Sequence, residues 1–344
     1  MSVPARAQRA VLGAILALLF AACSGAGAGP SAASPEAVTA APTGTPASPS
    51  PAPLSPSPAA AFPVSVTDDE GTIVEIATEP ARIVSLTPAT TEILFAIGAG
   101  DSVIATTDFD DYPPEAVELP DVASFTSVDV EQIVGLEADL VIAGGNNFND
   151  PEAISRLRTL GVPVVVTYAA DIDGVLRDIE LVGTATGHAA AARDLVAAMR
   201  AGFDDVAAAV AAEDRPRVFY ELDATSEIYT AADDSFVEEM IELAGGDPIT
   251  TGSTTSFSIS LERLIDADPE IILLGDAAYG VTPDQVTNRP GWPVMTAVRE
   301  GRIVPVNDIV VTRPGPRLVE GLRQLAAAIH PDVALPTPPP APAY

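Results

Sequence analysis

Apolar and polar positions follow one pattern twice along the chain, in VDVEQIVGLEADLVIA from Val128 and in ISLERLIDADPEIILLG from Ile259. In register, Asp129 matches Ser260, Glu131 matches Glu262, Ile133 and Val134 match Leu264 and Ile265, and the apolar run from Leu140 matches that from Ile271. Each copy predicts a helix start, a short amphipathic helix and a buried strand. Asp and Ser accept hydrogen bonds from the free N–H groups of a first turn, and a Glu placed there faces the positive helix end. The copies lie about 130 residues apart, too far for a solenoid, whose repeats recur every 20 to 50 residues or so. Two similar lobes follow, with a ligand cleft between them.

The remaining pattern extends this reading. VSVTDDEGTIVEI, 64–76, alternates as a surface hairpin does; RIVSL at 82–86 predicts a buried strand; and TPATTEILFAIGAG predicts a helix opening near Thr87, with Pro88 in its first turn. VIATT at 103–107, the first twin unit, a helix over 151–160 and the strand VPVVVTY complete one series of short apolar strands alternating with helices. Such alternation implies a parallel sheet covered on both faces. Over 188–213 an Ala-rich stretch carries Leu195, Val196, Met199, Phe203, Val206 and Val210 at helical spacing, the longest such pattern in the chain. A second series follows: RVFYEL at 217–222, a helix at 235–246, the second twin unit, a helix near PVMTAVREG, the strand RIVPV and a closing helix over 317–329. The predicted fold class is α/β: an N-terminal lobe over 63–187 and a C-terminal lobe over 214–331, each a mainly parallel sheet with flanking helices, bridged by one long helix over 188–213.

The ends do not share this pattern. Residues 1–22 carry Arg6 and Arg9 before VLGAILALLFAA, which reads as a secretory signal. Cys23, the sole cysteine, follows in FAACS, a stretch that resembles a bacterial lipoprotein box and predicts lipidation and membrane anchoring on the outer face of the cytoplasmic membrane. Residues 23–62, rich in Pro, Ala and Ser, predict a disordered tether, and 332–344 a disordered tail, because neither has apolar surface enough to offset ordering entropy. The 344 residues hold 48 acidic and 17 basic side chains, all 17 of them Arg, for a net charge of −31. That charge excludes a nucleic-acid partner, and the absence of Lys excludes P-loop and Schiff-base chemistry. No nucleophile elbow, dinucleotide fingerprint or zinc spacing occurs, and His188 and His330 are the only histidines, so the reading is a binding protein and not an enzyme.

RIVSLTPATTEILFAIGAGDSVIATTDFDDYPPEA, the twin Glu units, the Ala-rich helix and RPGPRLVEGLRQLAAAIHP resemble, in order and spacing, the solute-binding lipoproteins of ABC importers for iron complexes, haem and cobalamin. The resemblance covers about residues 64 to 331. It implies a ligand held between lobes that hinge little and no resident cofactor, Co or Fe arriving only within the ligand. The implied partners are an ABC permease dimer with its ATPase, a small chelate or macrocycle, and the membrane through Cys23, the protein itself being a monomer. Glu131 and Glu262 match the acids with which such lipoproteins dock on permease arginines; read alone, they are also ordinary first-turn acids.

Parallel sheets present ligands at their strand ends. In the first lobe these loops hold Thr87, Pro88, Asp111, Tyr112, Phe125, Asn146, Asn147 and Phe148; in the second, Tyr229, Phe257, Tyr279, Asp308 and Arg313. DYPP resembles cobalamin binders, in which the Tyr flanks the corrin; Phe125 falls where they place a Trp, Asp308 and Arg313 match two of their ligand contacts, and Phe257 lies one position out of register with a second Trp. The plain alternatives are that Tyr112 caps a turn, that Phe125 and Phe257 are core, and that Arg313 pairs with a nearby carboxylate. Trp292 reads as packing. A corrinoid is the favoured ligand, with haem or a ferric siderophore next; a surface sensor or scavenger of the same fold, or a carboxylate-based hydrolase, is the alternative.

Overall fold

The computed structural model describes residues 62–337 apart from 125 and 147. The signal segment, Cys23, the tether up to residue 61, Phe125, Asn147 and residues 338–344 lie outside the described residues.

A hairpin of β1 (Val64–Thr67) and β2 (Ile73–Ile76) opens the fold, with Val64 opposite Ile76. The N-terminal half continues with β3 (Ile83–Ser85), α1 (Pro88–Ala96), β4 (Val103–Thr107), α2 (Pro114–Val117), β5 (Asp121–Ser124), β6 (Ser127–Val128) and α3 (Val130–Gly135). Then come β7 (Leu140–Gly144), α4 (Pro151–Thr159), β8 (Val164–Thr167) and α5 (Ile172–Ala185). Its six-stranded sheet runs β6-β5-β4-β3-β7-β8, parallel except where β6 folds back on β5. β3, β7 and β8 are buried at every position, as strands covered on both faces must be.

After α6 (Ala189–Val210), the C-terminal half holds β9 (Arg217–Glu221), β10 (Ile228–Tyr229), α7 (Phe236–Leu243), β11 (Asp247–Pro248), β12 (Ser258–Ile259), α8 (Leu261–Ala267) and β13 (Ile271–Leu274). α9 (Pro283–Thr287), α10 (Thr296–Glu300), β14 (Ile303–Pro305), α11 (Asp308–Thr312) and α12 (Leu318–Ile329) close it. Its sheet, β11-β9-β13-β14, is parallel throughout, and β10 pairs with β12 in a short antiparallel ladder beside it. The twin units are α3–β7 and α8–β13. Asp129 accepts the Gln132 N–H at 2.9 Å and Ser260 the Arg263 N–H at 3.2 Å, so both predicted caps form.

The long helix α6 has 22 residues, about 33 Å at the usual rise. Ala192, Val196, Met199, Phe203, Val206 and Val210 are buried at alternating steps of four and three, which puts them on one stripe. The helix packs against α5 on one side and α12 on the other. A single apolar cluster therefore runs from Ile83 and Leu140 through Met199 and Phe203 to Val218, Leu273 and Leu322. Val84 and Val141 face a separate outer cluster, and Phe219, Ile272 and Trp292 another, so each sheet has one face on the shared core and one on its own. A carboxylate also crosses between the halves: Glu239 of α7 accepts the Ile172 N–H at the start of α5, at 2.9 Å.

Several details differ from the sequence reading. α5 was not anticipated, although Asp171 caps it, accepting the Gly174 N–H at 2.6 Å, and Val175, Ile179 and Val182 bury one face. Phe62, assigned to the tether, packs partly buried against the shared core. Val333 and Leu335, assigned to the tail, do the same, because these apolar side chains follow directly on the end of α12 and find its cluster within reach.

Candidate functional site

The loops after β3, β4, β7 and β8 and a wall from the C-terminal half enclose a cavity of about 510 Å³. Thr87 and Pro88 follow β3; Thr87 caps α1 by accepting the Thr90 N–H at 3.1 Å, and Pro88 fills the first turn, which needs no N–H. The turn after β4 is closed by Asp110, which accepts from the Thr107 N–H at 2.9 Å and its hydroxyl at 2.5 Å, and it presents Phe109 to the cavity. Phe109 meets Phe148 at 6.1 Å between ring centres, tilted by 57°.

Gly144, at the end of β7, holds this wall together. A Cβ there would lie 2.7 Å from the Thr87 Cγ2 and 2.9 Å from the Phe148 ring, so only glycine lets both line the same face. Asn149 ties down the loop between: its Oδ1 accepts the Gly144 N–H at 2.7 Å and its Nδ2 donates to the Leu86 carbonyl at 3.1 Å. Asn146 takes a left-handed backbone, φ 52°, which Asn tolerates better than most residues. After β8, the Tyr168 N–H donates to Asp69 in the β1–β2 turn at 2.5 Å, and its side chain enters the cavity half-exposed.

Beside this, Asp178 of α5 lines the cavity and is itself buried. Burial, then its hydrogen bond to Asp69 and the charge of that residue, pushes the Asp178 carboxyl up to about 9, with Arg177 opposing. It is a neutral acid at physiological pH, able to donate a hydrogen bond.

The facing wall comprises Tyr279, Asp308, Ile309, Thr312, Arg313 and Pro314. Tyr279, 81% exposed, stands at the rim on a 3-10 turn, Gly275–Tyr279. Asp308 accepts the buried Tyr220 hydroxyl at 2.8 Å; burial raises its pKa while the bonds from Tyr220 and Thr312 oppose the rise. Within the same turn, neither oxygen of buried Asp276 has a hydrogen-bond donor among the described residues. Burial and then the Glu221 charge push that carboxyl up to about 7, although Arg289, bound to Glu221 at 2.6 and 2.8 Å, opposes.

Arg313 is the one cation lining the cavity among the described residues, and it is committed. Its Nη1 donates to Glu92 Oε1 at 2.7 Å and to Asp111 Oδ1 at 2.6 Å. Arg317 donates to both Glu92 oxygens, at 2.9 and 2.6 Å, and stacks 4.3 Å above the Tyr112 ring.

Of the residues expected at the cleft, Thr87, Pro88, Asn146, Phe148, Tyr279, Asp308 and Arg313 line the cavity together. Asp111 and Tyr112 stand outside its lining, gripping Arg313 and supporting Arg317. Tyr229 and Phe257 also stand outside it: β10 carries Tyr229, whose hydroxyl donates to Glu227 at 3.3 Å, and Phe257 lies exposed at the start of the partner strand. Phe125 and Asn147 fall outside the described residues. Sequence reasoning did not name Phe109, Tyr168, Asp178, Thr312, Glu92 or Arg317. Tyr168 carries a sequence signal, since it ends the strand VPVVVTY; Asp178 carries none, because it lies inside helix α5 and not at a strand end. Trp292 is core, edge-on to Phe219 at 6.1 Å.

Among the described residues no group of three or more His, Cys, Asp or Glu is arranged to hold a metal ion, and no helix is long and apolar enough to cross a membrane.

A family profile described as periplasmic binding protein matches residues 83–308, most of the folded chain. The chain belongs to the Fe/B12-type periplasmic solute-binding family. This binding protein is 34% identical over 276 residues to the uncharacterized ABC transporter substrate-binding lipoprotein YvrC of Bacillus subtilis, covering 79% of this chain and 87% of that one. It is 33% identical over 286 residues to a cobalamin-binding protein of Halobacterium salinarum, with 78% and 75% covered. The solved structure of the haem-binding protein RhuT from Roseiflexus superposes with a TM-score of 0.64 at 28% identity, covering 73% of this chain and 98% of that one. Membership makes the protein a non-catalytic solute binder that is exported and membrane-associated. It also implies a permease with its ATPase and a small-molecule ligand.

Proposed function

We propose that this protein is the lipid-anchored solute-binding component of an ABC importer and that its cargo is a corrinoid, held across the cavity between the two halves. One observation carries the choice of cargo: the cavity offers aromatic and hydroxyl groups but, among the described residues, no uncommitted positive charge. Phe109, Phe148, Tyr168 and Tyr279 give faces for a flat macrocycle, and Thr87, Asn146 and protonated Asp178 give polar contacts suited to an amide-bearing rim. Haem brings two propionates and a ferric siderophore brings anionic donors, and both would call on Arg313, which Glu92 and Asp111 already neutralise. The cobalamin-binding relative supports the same reading, and the haem-binding structural neighbour makes haem the next candidate.

In this reading the exposed Glu131 and Glu262 are the contacts to the permease, one on each half at the same place in the twin units. The cargo is tested by titrating the full-length protein with cyanocobalamin, haemin and ferric siderophores, following Tyr and Trp fluorescence and heat. One-to-one binding of cyanocobalamin below about 1 µM is expected. Tight haemin or siderophore binding with none for cyanocobalamin would overturn the assignment.

A further inference from the structure

Glu92 occupies an unusual position for a carboxylate. It sits on α1, one turn beyond Pro88, with its side chain 1% exposed, and both oxygens receive guanidinium hydrogen bonds from the opposite half of the molecule. Arg313 and Arg317 bring two positive charges; Glu92 and Asp111 bring two negative ones, so the group sums to zero. Burial works to lower the Arg317 pKa, yet the Glu92 hydrogen bonds and charge outweigh it, which marks how firmly the cation is held. Asp111, by contrast, is 48% exposed, and its bond to Arg313 is the group's outer, wetter contact.

We infer that Glu92 is a specificity-determining residue, which sequesters Arg313 and Arg317 so that the cleft rejects anionic macrocycles and admits uncharged, amide-bearing ones. This rests on the cleft reading given above and adds the side chain that sets the choice. An anionic group reaching for Arg313 finds carboxylate oxygens already at 2.6 and 2.7 Å from the same nitrogen, with Asp308 on the same wall. Loss of the Glu92 charge alone would leave two cations against one anion, a net positive charge at the cavity wall where the low-dielectric surroundings screen it little.

A purely structural clasp would behave differently. If Glu92 only held the halves together, removing its charge would weaken every ligand in step and leave their ratio unchanged. The test is therefore the ratio of haemin to cyanocobalamin affinity in full-length wild type, Glu92→Gln and Asp111→Asn. Glu92→Gln should raise that ratio about tenfold or more at low salt, and the gain should shrink as salt rises. Asp111→Asn, which removes a half-exposed partner and no buried bond, should shift it the same way by about threefold. Folded variants with an unmoved ratio would overturn the inference; if Glu92→Gln does not fold, Asp111→Asn decides alone. Wild type that prefers haemin would instead overturn the cargo assignment, whereas wild type that takes cyanocobalamin while neither variant shifts the ratio sinks only the role given to Glu92.

Discussion

Asp178 shows how a single residue lining the cavity bears on stability. Its carboxyl is pushed up to about 9 in the folded protein, first by burial and then by Asp69, whereas in the unfolded chain it titrates near the ordinary value of 3.8. Below about pH 4 both states hold the proton. As pH rises toward about 9 the unfolded chain gives it up and the folded protein keeps it, so the folded state binds more protons and loses stability across that window. Asp178→Asn mimics the protonated form without the titration. The variant should melt a few degrees above wild type at pH 8, with the gap closing toward pH 4. A gap independent of pH, measured by calorimetry across that range, would mean that Asp178 is ionised in the folded protein.

At the scale of elements, the twin units were legible because caps, amphipathic turns and buried strands all leave local marks. Asp129 and Ser260 cap as read, and β7 and β13 are buried end to end. The bridging helix was legible too, since its 4-3 stripe is unbroken, although it stops at Val210, three residues short of the expected end. The cleft was read less well. Position after a strand picks out Thr87 and Phe148, but the placing of Tyr112 depends on tertiary stacking with Arg317, and Tyr229 lies on β10 bonded to its near neighbour Glu227. The charge state of Arg313 was equally hidden, because its partner Glu92 lies 221 residues away in sequence.

The two capping helices also differ in a way that matters for docking. Glu131 pairs with Arg156 at 3.3 Å, both well exposed, while Glu262 makes no ion pair among the described residues. Exposed pairs contribute about 0 to 1 kcal/mol, so Arg156 would be little obstacle to the proposed docking of Glu131 on a permease. Glu131→Arg and Glu262→Arg should each lower uptake and permease association while leaving cargo affinity as in wild type. Unchanged uptake in the double variant would remove the docking role.

For the whole molecule, the decisive feature is that the inner core is shared, although each half keeps an outer cluster of its own. Ile83 and Leu140 from one sheet and Val218 and Leu273 from the other belong to the same apolar cluster as the stripe of α6, and both α5 and α12 pack on that helix. Domains with separate cores melt separately; these halves should melt in one calorimetric transition, and Phe203→Ala at the centre of the stripe should lower it by about 3 to 5 kcal/mol without splitting it. Two resolved transitions would contradict the shared core.

The stripe of α6 bears equally on ancestry. A chain that repeats one unit in each half invites the idea of a doubled smaller ancestor, yet these halves share one apolar cluster along a common helix. Cut between α6 and β9, each fragment would expose an apolar face that the other normally covers: part of the stripe of α6 on one, and the faces of α7 and α12 on the other. Kept apart, such fragments are expected to aggregate; mixed, they are expected to find each other and restore the cleft. The repeated units thus work in mutual dependence, with the candidate cavity built where the two halves meet.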